Sequence, residues 1–212
     1  MKDNKITRAV NSIFAGIEKP AEAGFEPVEA GSYVARCVSL IDLGTQYWDS
    51  PQYGKQEKRK VFLTWELPTE MKIFKEENGK EPIVISKEYT LSFSEKANLR
   101  KDLESWRGKT FTPDELLIFD EFKILGLPCM LSVINSTKGE KTYANISGVA
   151  PMPKGLECPE QIKKTVIFSL NPDETDNIDM ETFSKLPGFL QKKIRLSPEF
   201  EHFKFKEIPI EI

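Results

Sequence analysis

The stretch IVISKEYTLSFSEKANLRKDLESWRG, Ile83 to Gly108, decides the fold. It opens on a two-residue alternation in which Ile83, Ile85, Tyr89, Leu91 and Phe93 point one way, the pattern of a strand laid against a core. Lys87 interrupts the apolar set and marks either a bulge or the end of burial. After Ser94 the period becomes helical. Ala97, Leu99, Leu103 and Trp106 lie close to one stripe, with Ser94 placed to cap the start and Gly108 to end it. A strand therefore runs directly into a helix.

Upstream, VFLTWEL (Val61–Leu67) alternates cleanly: Val61, Leu63, Trp65 and Leu67 share one face, while Phe62, Thr64 and Glu66 share the other. Before it, SYVARCVSLIDLGTQ (Ser32–Gln46) reads as a strand with imperfect alternation, and YWDSPQYGKQEKRK (Tyr47–Lys60) as the loop between the two. Downstream, Thr112-Pro113-Asp114-Glu115 is a capping box that starts a short second helix. PCMLSVIN (Pro128–Asn135) and KTYANISGVA (Lys141–Ala150) are two more strands, with a turn at Thr137–Glu140. Three strands, a helix and two strands give the connectivity of the OB-fold, a five-stranded Greek-key barrel. The expectation is a mainly β chain with an OB-like barrel over residues 31–155, its helix between strands three and four. An N-terminal arm fills residues 1–30. Pro151–Gly155 ends the barrel, and residues 156–212 form an extension with short helices. In that extension VIFSL precedes a loop, NPDETDN. Met180 to Leu196 then reads as one helix broken at Pro187-Gly188 or as two, and Ser197-Pro198 starts a turn.

The net charge is −3, so strong overall basicity does not advertise a nucleic-acid partner, although a local basic face is compatible with that total. No stretch approaches the roughly 18 apolar residues of a membrane span. Met1 to Ile17 lacks the apolar core of an export signal. Cys37, Cys129 and Cys158 are odd in number and widely spaced, which suits a reducing cytoplasm better than a disulfide framework or zinc site.

Nothing in the sequence assembles a catalytic centre. The one histidine, His202, lies among Phe200, Phe203 and Phe205 and reads as a surface residue. The phosphate-loop, dinucleotide and nucleophile-elbow patterns are absent from the sequence. Asp42 and Asp49 are conceivable as a metal pair, but a turn-capping role suits Asp42. The chain is expected to be a binding protein without catalytic residue, metal or cofactor.

A binding face is easier to find. Single strands need cations for the backbone and aromatics for the bases. The segment before the second strand holds Tyr47, Trp48 and Tyr53 with Lys55, Lys58, Arg59 and Lys60, although Trp48 and Tyr53 also suit a local mini-core with the lysines as a solvated face. Phe62, on the polar side of its strand, is either a stacking platform or the underside of the extension. Tyr143 shares a face with Asn145 and is either a second platform or an edge ring over the core. Arg36 is a phosphate clamp or a buried ion-pair partner. With Lys87, these complete the candidate set.

GSYVARCVSLIDLGTQ, VFLTWELP, SKEYTLSFSEKANLRKDLESWRGKTFT and KTYANISGVAPMPKG together resemble a family of phage- and prophage-encoded proteins of about this size. The pieces span most of Gly31 to Gly155, and the helix-bearing piece is the most specific. The resemblance implies an OB-type protein that binds single-stranded DNA in phage replication or recombination, inside the bacterial cytoplasm. It carries over no catalytic residue. Phage or host replication and recombination proteins are further candidate partners, and a homo-oligomer is compatible with the sequence. The alternative is a protein-interaction module, a recombinase accessory factor or an inhibitor of a host defence, using the same barrel face. The ending KEIPIEI shares an Ile-Pro step with the tails of bacterial single-strand binding proteins but lacks their acidic run. Met180 to Phe203 is expected to pack on the barrel or a second subunit, with a mobile end from Lys204 to Ile212.

Overall fold

The computed structural model describes residues 27–171 and 178–206. Most of the N-terminal arm, the NPDETDN loop beyond Asn171 and the KEIPIEI ending beyond Lys206 lie outside the described residues.

The chain is mainly β. Its strands are β1 (Gly31–Ser50), β2 (Gly54–Ile73), β3 (Lys80–Thr90), β4 (Pro128–Lys138), β5 (Lys141–Ala150) and β6 (Val166–Phe168). The first five form an antiparallel sheet in the order β3-β2-β1-β4-β5, and β6 lies parallel to β1. β1 serves two partners in succession. Gly31–Arg36 pairs with β4, and Arg36–Ser50 pairs with β2. The outer strands β3 and β5 come within 8 Å, Cα to Cα, but share no ladder, so the sheet stays open.

Helices α1 (Asn98–Arg107) and α2 (Pro113–Leu117) connect β3 to β4. The stripe of α1 is buried as its spacing requires, through Leu99, Leu103 and Trp106, and Gly108 takes the left-handed φ of 71° at its end. Its start differs from expectation. Ser94 closes a preceding turn by accepting from the Ala97 N–H at 2.9 Å, and Ala97 holds the N-cap position with no side-chain cap. The Thr112 capping box forms, with Glu115 accepting from the Thr112 N–H. Inside the sheet, Leu40, Leu63, Trp65, Leu67 and Leu131 form the main core with α1, and the Trp65 and Trp106 rings stand 6.2 Å apart.

The extension adds α3 (Met180–Lys185), α4 (Gly188–Arg195) and α5 (Pro198–Lys206), so Met180–Leu196 is two helices and the expected turn at Ser197-Pro198 opens a third. Together with β6 they build a second core on the opposite side of β1 and β2, where Phe168, Phe183, Leu190 and Phe200 meet Val38, Ile41, Leu43 and Phe62. β1 is thus buried on both faces, and register shifts between Cys37 and Ser39 and between Asp42 and Gly44 rotate it. Two-sided burial and two bulges explain its broken alternation in the sequence. Gly44 has φ +67°, and a Cβ there would lie 2.5 Å from Ser197 Cβ, so only glycine lets the start of α5 approach this bulge.

The side of β2 that reads as polar is buried as well. Thr64 and Glu66 are both 0% exposed under the extension. The Glu66 carboxylate accepts from the Ile162 and Lys163 N–H groups at 2.9 and 2.8 Å. Burial pushes its pKa up, and those two bonds together with the charges of Lys163 and Arg36 oppose the rise. Asp42 does a similar job, accepting from the Leu170 N–H at 3.1 Å.

Candidate functional site

The segment expected to be a loop is a two-stranded ribbon. From Gly44↔Lys60 to Ser50↔Gly54, β1 and β2 continue pairing with polar residues on both faces, so no apolar alternation signals a strand. Only Pro51–Tyr53 turn, and Gly54 closes the turn with φ 65°. Directly opposed residues share a face in an antiparallel pair. One ribbon face therefore carries Gln46, Trp48, Gln56, Lys58 and Lys60, and the other carries Thr45, Tyr47, Asp49, Lys55, Glu57 and Arg59. Tyr53 is 70% exposed, Tyr47 61% and Trp48 40%. The ring of Trp48 stands under the Lys60 ammonium, 5.4 Å from its centroid. The alternative of a local mini-core of Trp48 and Tyr53 does not hold for Tyr53, which projects into solvent.

The ribbon's base is fixed. Arg59 donates to the buried Asp42 carboxylate at 2.5 Å, and Glu199 of α5 accepts from Thr45 N–H and Oγ1 at 2.8 and 2.6 Å. Gln46 donates to the carbonyls of Leu43 and Lys193. The extension thus holds the root of the ribbon while the rings and Lys55 and Lys58 stay exposed.

Beside the root lies a polar cleft of about 540 Å³ between the ends of β2 and β3 and the start of α1. Lys58, Arg59, Lys60, Lys87 and Lys96 line it against the single carboxylate of Glu88. Lys87 shows no register shift against β2, and Tyr89 beyond it is buried in the main core, so Lys87 marks neither a bulge nor the end of burial. Its ammonium meets Asp102 at 2.7 Å, where the Tyr89 hydroxyl also donates, at 2.7 Å. Glu88 lies 3.9 Å from Lys60 and also pairs with Lys193. Lys96 and Asn98 belong to this cleft and carry no sequence signal; only the fold brings the turn before α1 to the ends of β2 and β3.

Two expected contact residues are structural. Phe62 is 9% exposed and packs under Phe189 of α4, so it is the underside of the extension and presents no ring to a base. The Arg36 guanidinium donates to the carbonyls of Gly126 at 2.6 Å, Pro159 at 2.8 Å and Cys158 at 3.2 Å, tying the extension to β1, and makes no carboxylate contact within 4.0 Å among the described residues. Tyr143 and Asn145 are exposed on the β4–β5 hairpin. The register puts that hairpin beyond the Gly31 end of β1, and the two residues line neither ribbon nor cleft. Asn145 donates to Ser136 Oγ at 2.9 Å.

Asp42 caps the bulge through the Gly44 N–H at 2.9 Å and holds Arg59. Burial pushes the Cys37 thiol up to about 12, so it carries no thiolate at neutral pH. His202 is exposed, its ring 6.1 Å from that of Phe203. Among the described residues no helix is long and apolar enough to cross a membrane. No family model and no curated protein matches this chain.

Proposed function

We propose that the chain is a single-stranded DNA-binding protein, of OB type, serving phage replication or recombination in the bacterial cytoplasm. The observation that carries this reading is the ribbon. Tyr47, Trp48 and Tyr53 are exposed on a rigidly rooted hairpin that also presents Lys55 and Lys58. Exposed rings with interleaved lysines give bases a stacking surface and phosphates a counter-charge, whatever the base sequence. The OB assignment is supported by β1 pairing in turn with β2 and β4, by α1 between β3 and β4, and by the approach of β3 to β5. The sequence resemblance supplies the phage context.

The test is a titration of labelled oligo(dT) and duplex of equal length at two salt concentrations. Tighter binding of the single strand, weakening as salt rises, is expected from counterion release. Equal affinity for duplex, or no binding at low salt, overturns the reading. Tryptophan emission gives a second readout, because Trp65 and Trp106 are buried at 1% and 9% exposure. Quenching by a stacked base falls on Trp48, and W48F removes it.

A protein-docking module is the second reading. It is favoured by an apolar groove of about 510 Å³ lined by Trp106, Phe111, Ile118, Phe119 and Leu127, with Ile118 78% exposed. A chain that ignores DNA at low salt directs attention there.

A further inference from the structure

The ribbon accounts for bases better than for phosphates. Its exposed rings outnumber its unpaired lysines, and Arg59 at its root is held by Asp42. The cleft beside it has the opposite character. Five cationic side chains face one carboxylate across about 540 Å³, and Thr90, Ser92, Ser94 and Asn98 add hydrogen-bond donors. Three of the cations are already matched, Arg59 by Asp42, Lys87 by Asp102 and Lys60, more loosely, by Glu88. Lys58 and Lys96 have no carboxylate within 4.0 Å among the described residues. They stand on different elements, β2 and the turn before α1, and both line the cleft. Unmatched ammonium groups converging on one polar cavity call for an anion, and hydroxyl and amide donors suit phosphate oxygens.

We infer that this cleft is a phosphodiester-binding site that takes the backbone of the strand whose bases stack on the ribbon. The inference rests on the DNA-binding reading. Lys58 and Lys60 join the two parts. They share the Trp48 face of the ribbon and line the cleft, so a strand leaving Trp48 passes them and reaches Lys96. Glu88, held by Lys60 and Lys193, is the one carboxylate on the path.

The full chain is titrated with oligo(dT) and with an abasic strand of equal length, which offers phosphates without bases. Lys96→Glu is expected to weaken both strands about tenfold or more, and Lys96→Ala to lower the salt slope by about one. Lys96→Arg restores both. W48A is expected to weaken oligo(dT) and spare the abasic strand. Lys96 is exposed, so an unchanged melting curve separates these effects from misfolding. If W48A weakens oligo(dT) while Lys96→Glu changes neither strand, the cleft assignment falls and the ribbon reading stands. Failure of wild-type protein to bind either strand removes both. Displacement of the abasic strand by millimolar inorganic phosphate at fixed ionic strength overturns the strand assignment in favour of a free anion.

Discussion

The ring of Phe189 on α4 meets Phe62 on β2 edge-on, with centroids 5.9 Å apart and planes at 72°. That contact turns an outward-looking aromatic into a core residue. Phe62→Ala removes a buried ring and leaves a cavity, so it should cost roughly 3–5 kcal/mol of stability. Its affinity for oligo(dT), measured well below the lowered melting temperature, should match wild type. Weakened binding by a fully folded F62A protein contradicts the packing role.

The same core governs truncation. A chain ending at Gly155 loses β6 and α3 to α5, and leaves Val38, Ile41, Leu43 and Phe62 without cover. Glu66 and Asp42 also lose the backbone N–H groups of Ile162, Lys163 and Leu170. Exposed apolar surface of that extent associates. The truncated chain should therefore be insoluble or aggregate by light scattering. A soluble monomer with raised DNA affinity would instead make the extension a competitor for the DNA.

Trp48 should behave in the opposite way to Phe62. It is 40% exposed on the ribbon, so Trp48→Ala removes little packing. Stacking on such a ring is worth roughly 1–3 kcal/mol per base. W48A should weaken oligo(dT) binding by that amount, keep the salt slope, because stacking releases no counterions, and melt within a few degrees of wild type. A large drop in melting temperature would assign Trp48 to the fold.

These contrasts show where the sequence was legible. Lys141–Ala150 and the Leu99–Leu103–Trp106 stripe each face one core, and their periodicity states it, as does the apolar face of Val61–Leu67. β1 faces two cores and bends at two bulges, so its pattern blurs. The ribbon faces none, so its strands looked like a loop while its rings and lysines stood out. Phe62, Thr64 and Glu66 were misleading because the surface that buries them arrives about a hundred residues later, as the Glu66–Ile162 and Glu66–Lys163 bonds illustrate. The Lys96 side of the cleft depends on where a turn lands in space, which residue order alone does not encode.

Acid should loosen the α1–α2 junction. The Glu115 carboxylate accepts from Arg107 at 2.6 Å, from the Thr112 N–H at 3.0 Å and from Lys109 at 2.9 Å. The Arg107 bond first, then Thr112 and Lys109, lower its pKa from 4.5 to about 2. A carboxylate whose folded pKa is depressed favours the folded state above its unfolded value and loses that contribution as pH falls through its folded value. Melting temperature should therefore decline from pH 4.5 towards about 2. Glu115→Gln should be less stable at neutral pH and show a shallower decline. An identical acid profile for the two proteins would mean that other carboxylates govern it.

Lys58 and Arg59 are neighbours in sequence with opposite fates. Lys58 is exposed on the Trp48 face of the ribbon, whereas Arg59 on the other face donates to Asp42 at 2.5 Å. Asp42 is 4% exposed and also accepts from the N–H groups of Gly44 and Leu170, so its carboxylate links ribbon root, bulge and extension. Lys58→Ala should leave stability within about 0.5 kcal/mol, weaken oligo(dT) binding and reduce the salt slope by about one. Arg59→Ala strips a nearly buried carboxylate of its counter-charge and should cost about 1–3 kcal/mol, with a smaller effect on the slope because that guanidinium is already neutralised. Asp42→Asn should reproduce much of the Arg59→Ala stability loss. In the double variant the two losses should sum to less than their separate values, since both break one interaction. Full additivity, or an Arg59→Ala protein that melts like wild type and loses only DNA affinity, would return Arg59 to the binding surface.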